Sequence, residues 1–110
     1  MGTLLVMMAN NKAASEKSCK EMLRIMGQQQ MRTRIPRFML DDIETPHKTG
    51  DFPPYIANDV GLIETPAGRV VVVFFSAHHR GYYSELEDAI GRMSEQVWGY
   101  FNYREKQAAR

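Results

Sequence analysis

The run Val70-Val71-Val72-Val73-Phe74-Phe75 constrains this chain more than any other feature. Six consecutive β-branched and aromatic residues favour extended backbone and leave no polar face, so the strand they form has to be covered on both sides. Ahead of it, Thr65-Pro66-Ala67-Gly68 has turn chemistry, and Asp59 to Glu64 carries Val60, Leu62 and Ile63. The expected unit is an antiparallel hairpin of two strands, Asp59 to Glu64 and Arg69 to Ala77. Its turn fixes one edge of the valine-rich strand. The other edge is bare, and bare apolar edges recruit further chains. Something outside this sequence is therefore expected to cover it.

The rest of the chain must supply the covering faces. Ser84-Glu85-Leu86-Glu87 reads as a capping box. Leu86, Ala89, Ile90, Met93, Val97 and Phe101 then recur at helical steps, which predicts a long amphipathic helix over Glu85 to Tyr103. A second helix is expected from Glu16 to Met26, capped by Ser15, striped by Cys19, Met22, Leu23 and Met26, and stopped by Gly27. Leu4 to Ala9 suits a short helix with no capping residue ahead of it, a start that fits an internal methionine or a cut. Gln28 to Arg37 is polar and basic, and Arg32, Arg34 and Arg37 are read as a solvated patch. A third strand is expected over Ile43 to Thr49. Gly50, Pro53 and Pro54 make Lys48 to Tyr55 a loop, with the prolines disturbing strand pairing. Helix, helix, three strands, helix is an α+β order with an antiparallel sheet. At 110 residues there is room for one domain and one core.

Composition excludes several functions. A net charge of +1 gives no long-range attraction for nucleic acid or an anionic membrane. No apolar run reaches the ~20 residues of a membrane-spanning helix. The first residues lack the basic and small-residue pattern of a signal peptide. Cys19, the single cysteine, excludes an internal disulfide and is expected to be a buried, inert thiol. His47, His78 and His79 are read as surface histidines at strand ends. Adjacent His78 and His79 face opposite ways on a strand, and no further ligands stand at metal-site spacing.

The chemistry-bearing group is His47-Lys48-Thr49-Gly50. A strand edge offers backbone groups to a substrate amide. Lys48 would set a cation beside a nucleophile and a substrate carboxylate, and Thr49 could hydrogen-bond that carboxylate. Gly50 would let substrate approach with no Cβ in the way. A lone triplet of this kind is often only a solvated turn. Here, however, it stands in an ordered series. Gln28-Gln29-Gln30 through Arg34-Ile35-Pro36 precede it. Asn58-Asp59-Val60-Gly61, Pro66-Ala67-Gly68-Arg69, the valine run and Ser84 to Phe101 follow it. In that order and spacing the chain resembles the C-terminal part of class A β-lactamases and related penicillin-binding proteins.

The resemblance implies a parent that opens β-lactams, or related amides and esters, through an acyl-enzyme. Lys48 would be its electrostatic lysine. Thr49, Gly50, Asp51, Phe52 and Arg80 would line the substrate side, Phe52 on or just past the strand whose backbone forms part of the oxyanion hole. Arg80 would help hold an anionic group. The family usually has a small residue where Asp51 stands, and a carboxylate there would repel a substrate carboxylate. No Ser-x-x-Lys and no Ser-Asp-Asn is present in these 110 residues. The resemblance also implies a five-stranded sheet whose two N-terminal strands pair beside the valine-rich strand.

The expected function is therefore the Lys-Thr-Gly side of a serine β-lactamase-like active site, inactive alone. The alternative is a non-catalytic binding or interaction module on the same fold. No cofactor and no metal are implied. The expected partners are a β-lactam or other small acyl substrate, and either the missing N-terminal portion or a second copy paired at the open sheet edge. Nucleic acid and membrane are not expected. The family is usually periplasmic or secreted, and this sequence does not fix the compartment.

Overall fold

A computed structural model describes residues 1–109. The elements are α1 (Gly2–Ala9), α2 (Glu16–Gly27), β1 (His47–Phe52), β2 (Ile56–Thr65), β3 (Gly68–Phe74) and α3 (Tyr83–Ala108). The three strands form one antiparallel sheet in the order β1-β2-β3. The fold is α+β, as the element order implied.

Side chains alternate across the sheet, and the two apolar sets face different helices. Val60 and Leu62, with Val71 and Val73, pack against Leu5 and Met8 of α1 and Leu23 and Met26 of α2. On the opposite face, Ile63 and Val72, with Val70 and Phe74, pack against Ile35 and against Ile90, Val97 and Trp98 of α3. Ile35 and Ile63 are completely buried. Each such isoleucine contributes roughly 1.5–3 kcal/mol relative to an exposed one. The valine run is thus covered on both faces, as its composition requires. Cys19 is buried, on the packed side of α2.

The β2–β3 turn follows its sequence signals. Gly68 adopts φ +117°, and the Thr65 hydroxyl donates to Gly68 O at 2.7 Å while accepting from Ala67 N at 3.2 Å. The β1–β2 connection corrects the reading of Pro53 and Pro54. They do not disturb pairing. They sit in a tight turn, and β1 remains in register to its last residue, Phe52, opposite Ile56. Proline lacks a ladder donor, and the turn is where that lack is harmless. As a result β1 begins at His47 and extends through Phe52, later than expected. Glu44 and Pro46 still accept from β2, from Glu64 N at 3.1 Å and Leu62 N at 2.9 Å.

Two further expectations are corrected. β3 ends at Phe74, because Ser76 leaves the ladder to bond Ala57 and Asn58 of β2 through its side chain and backbone. α3 enters through Tyr82 after Gly81 (φ +117°), and Ser84 makes no capping bond. The helix starts at Tyr83, so Ser84 lies inside its first turn, and the Glu87 carboxylate is drawn to Thr33 and Arg34 instead of back to the helix start.

β3 has no strand partner on its outer edge among the described residues. Next to it, α1 turns Leu4, Val6 and Met7 outward, each at least 39% exposed.

Candidate active site

β1 is an edge strand, so the Lys-Thr-Gly triplet sits where the sheet stops. Strand alternation sends its side chains to two sides. Lys48 stands opposite Val60, on the α1/α2 face, and is exposed. Its Nζ donates to Thr49 O at 2.7 Å. Gly50 follows on the same side, and a Cβ there would meet nothing within 4 Å. His47, Thr49 and Asp51 point to the α3 face, where the segment after α2 crosses the sheet.

His47 corrects the expectation of a surface histidine. It is buried, with Nδ1 2.9 Å from Asp59 Oδ1. Its backbone lies against Gly61, where a Cβ would come within 2.3 Å of Pro46 O and 2.8 Å of His47 Cβ. Only glycine permits that approach. The second oxygen of Asp59 accepts from Ile35 N at 3.1 Å. One buried carboxylate thereby ties the start of β1 to the segment that carries Arg34.

Arg34 is the second correction. It is no solvated arginine; it is 1% exposed. Nη1 donates to Asn58 O at 2.9 Å and pairs with Asp51. Nε donates to Glu87 at 3.1 Å, and Nη2 to the Tyr83 hydroxyl at 2.9 Å. The Tyr83 hydroxyl in turn lies 3.0 Å from Ile56 O and 3.3 Å from Asp51 Oδ1. Burial works against the guanidinium's charge. The hydrogen bond that the guanidinium donates to Asp51, and the charges of Asp51, Tyr83 and Glu87, outweigh it and hold Arg34 above the ordinary arginine range. Burial likewise raises the Tyr83 phenol; Arg34 pulls it down, and Asp51 and Glu87 push it further up.

Asp51 is therefore paired with a cation from inside the protein, which its position in the sequence did not disclose. Arg34 and Asp51 are brought together with Thr49 at one strand end. Phe52 is 65% exposed beside the β1–β2 turn. Arg80 is exposed in the β3–α3 loop, which is held to that turn by His79 N donating to Tyr55 O at 3.2 Å. The members of this polar cluster that sequence reading missed are Tyr83 and Glu87. Their partner Arg34 lies 49 and 53 residues away, so no local signal marked them.

A cavity of about 490 Å³ opens elsewhere, between α2 and the approach to β1, lined by Leu23, Arg24, Arg32, Glu44 and Thr45; Lys48 and Asp51 do not line it. Among the described residues no three His, Cys, Asp or Glu side chains are grouped to hold a metal. Nor, among the described residues, is any helix long and apolar enough to cross a membrane.

The sequence pattern of the beta-lactamase enzyme family matches residues 1–101. No curated protein matches the chain. Among solved structures, a beta-lactamase from Sphaerobacter thermophilus superposes with a TM-score of 0.75 at 34% identity, over 84% of this chain and 35% of its own. A beta-lactamase from Chitinophaga pinensis gives a TM-score of 0.81 at 25% identity, over 89% and 39%. A class A beta-lactamase from Bacteroides cellulosilyticus gives a TM-score of 0.82 at 18% identity, over 93% and 40%, a likeness of fold alone. The chain thus spans well under half the length of the structures it matches. With residues 1–101 matched and the sheet and helices superposed, this chain belongs to the beta-lactamase enzyme family.

Proposed function

We propose that this chain supplies the Lys-Thr-Gly side of a serine β-lactamase-type active site, whose nucleophile comes from polypeptide outside these 110 residues. One observation carries the reading. Lys48, Thr49 and Gly50 lie on an edge strand whose outer edge has no strand partner among the described residues, with open space at Gly50. A planar acyl group can lie along such an edge and exchange backbone hydrogen bonds with it.

In this reading the Lys48 ammonium, exposed on the α1/α2 side, stabilises negative charge that develops as a serine attacks the carbonyl. The Thr49 hydroxyl and the β1 backbone orient the substrate, with Phe52 and Arg80 at its rim. The serine and its base must lie within hydrogen-bond reach of one another. No Ser-x-x-Lys is available here to provide them. The missing polypeptide would also cover the outer edge of β3 and the exposed apolar side of α1 (Leu4, Val6 and Met7).

The test is nitrocefin turnover, by the purified chain alone and after mixing with an N-terminal β-lactamase portion that carries Ser-x-x-Lys. No turnover alone and turnover on mixing are expected. Turnover by the chain alone, or none in any mixture that forms a complex, contradicts the reading.

A further inference from the structure

We propose that Asp51 is a specificity-determining residue: it fills the Arg34 guanidinium as an internal carboxylate, so that along β1 the site favours acyl substrates with a neutral or cationic group beside Thr49 over those with a carboxylate there. This deepens the proposed function and rests on its placing the substrate along β1.

The argument begins with Arg34. A buried cation on the Thr49 side of the strand is a ready receptor for an anionic substituent. At 1% exposure, however, the guanidinium has no open face. All three of its nitrogens are committed, to Glu87, Asn58 O, Asp51 and Tyr83. An incoming carboxylate would have to displace one of these partners and leave it buried without its bond, which is costly.

Charge points the same way. Arg34 contributes one positive charge, and Asp51 and Glu87 one negative charge each, so the group carries a net −1. Lys48 does not offset it on this side, since it projects from the other face of β1. Asp51 itself is only partly covered, with 31% of its side chain exposed. Its contacts to Arg34 and Tyr83 both use Oδ1. Oδ2 makes no hydrogen bond among the described residues, so an acceptor is presented at the end of the strand. It suits an N–H, a hydroxyl or an ammonium.

The test uses the whole chain and needs no catalysis. Benzylpenicillin and its methyl ester share the same ring system and side chain and differ at the carboxylate, which is charged in the acid and capped by a methyl group in the ester. Each is titrated into ¹⁵N-labelled protein, and affinity is read from the shifts of the Thr49, Gly50 and Asp51 amides. The wild-type chain is expected to bind the ester more tightly than the acid, by about tenfold or more, the scale of one charge–charge contact near a surface. Asp51→Asn keeps the shape and removes the charge, and is expected to tighten acid binding by about tenfold while leaving the ester within about twofold. Asp51→Ser is the second variant, and a thermal melt of each confirms folding. Preference of the wild-type chain for the acid, or an acid-to-ester ratio unmoved by both variants, overturns the inference. Binding of neither compound to any of the three proteins overturns it too, and in that case the placement of substrate along β1 fails with it.

Discussion

His47 Nδ1 stands 2.9 Å from Asp59 Oδ1, both side chains buried, and the other Asp59 oxygen holds Ile35 N at 3.1 Å. Two segments that bear the candidate site are joined through this carboxylate: β1 with Lys48, and the segment with Arg34. Removing it leaves an imidazole and a backbone N–H buried without partners. Asp59→Ala is expected to cost about 2–4 kcal/mol. Urea unfolding measures this, and a loss below about 1 kcal/mol, the net worth of one ordinary hydrogen bond, would show that the pair does not hold the site.

The two glycines of this region should respond oppositely to a methyl group. At Gly61 a Cβ would press within 2.3 Å of Pro46 O, a backbone atom that cannot swing aside. Gly61→Ala is expected to destabilise by about 1–3 kcal/mol or more. At Gly50 a Cβ meets nothing within 4 Å. Gly50→Ala should therefore leave stability within about 0.5 kcal/mol, as for ordinary surface substitutions. Thermal melts of both variants decide the matter. Under the proposed function, Gly50→Ala should nonetheless weaken binding of an acyl ligand along β1.

Tyr83 gives stability a pH dependence of known sign. Its phenol lies above the ordinary 10.0 in the folded protein, chiefly through burial. The folded chain then holds this proton to higher pH than the unfolded chain. Its contribution is present in full below the unfolded value and is lost as pH rises through the folded value. Lysines titrate in the same window, so the informative quantity is a difference. Between about pH 9 and 11 the urea midpoint of the wild-type chain should fall more steeply than that of Tyr83→Phe. Parallel curves would contradict the burial of this hydroxyl.

The parts of the fold that were legible in the sequence are those set by local pattern. The stripe through Ile90 and Val97 gives α3, and the turn residues Thr65 to Gly68 give the β2–β3 hairpin. The triplet at Lys48 was visible as a motif. What escaped depends on contacts distant in sequence. Arg34 is a charged residue in a polar stretch, and exposure is the ordinary outcome for such a residue. It is buried because Asp51, Tyr83 and Glu87 arrive from β1 and from α3. The same contacts take Glu87 away from the capping box that its spacing from Ser84 suggested. Pro53 and Pro54 were read as strand breakers, whereas the turn they occupy lets β1 pair through Phe52.

The role of Lys48 is the centre of the account, and turnover by a reconstituted pair tests it most directly. Lys48 is exposed and bonds only to a neighbouring carbonyl, so Lys48→Ala should fold and assemble as the wild-type chain does. With the N-terminal portion supplying the serine, the account predicts that Lys48→Ala lowers nitrocefin kcat/KM by about 10²–10³-fold, the scale set by losing one electrostatic stabiliser of the transition state. Turnover within a few-fold of wild type, in a complex shown to have formed, would contradict it.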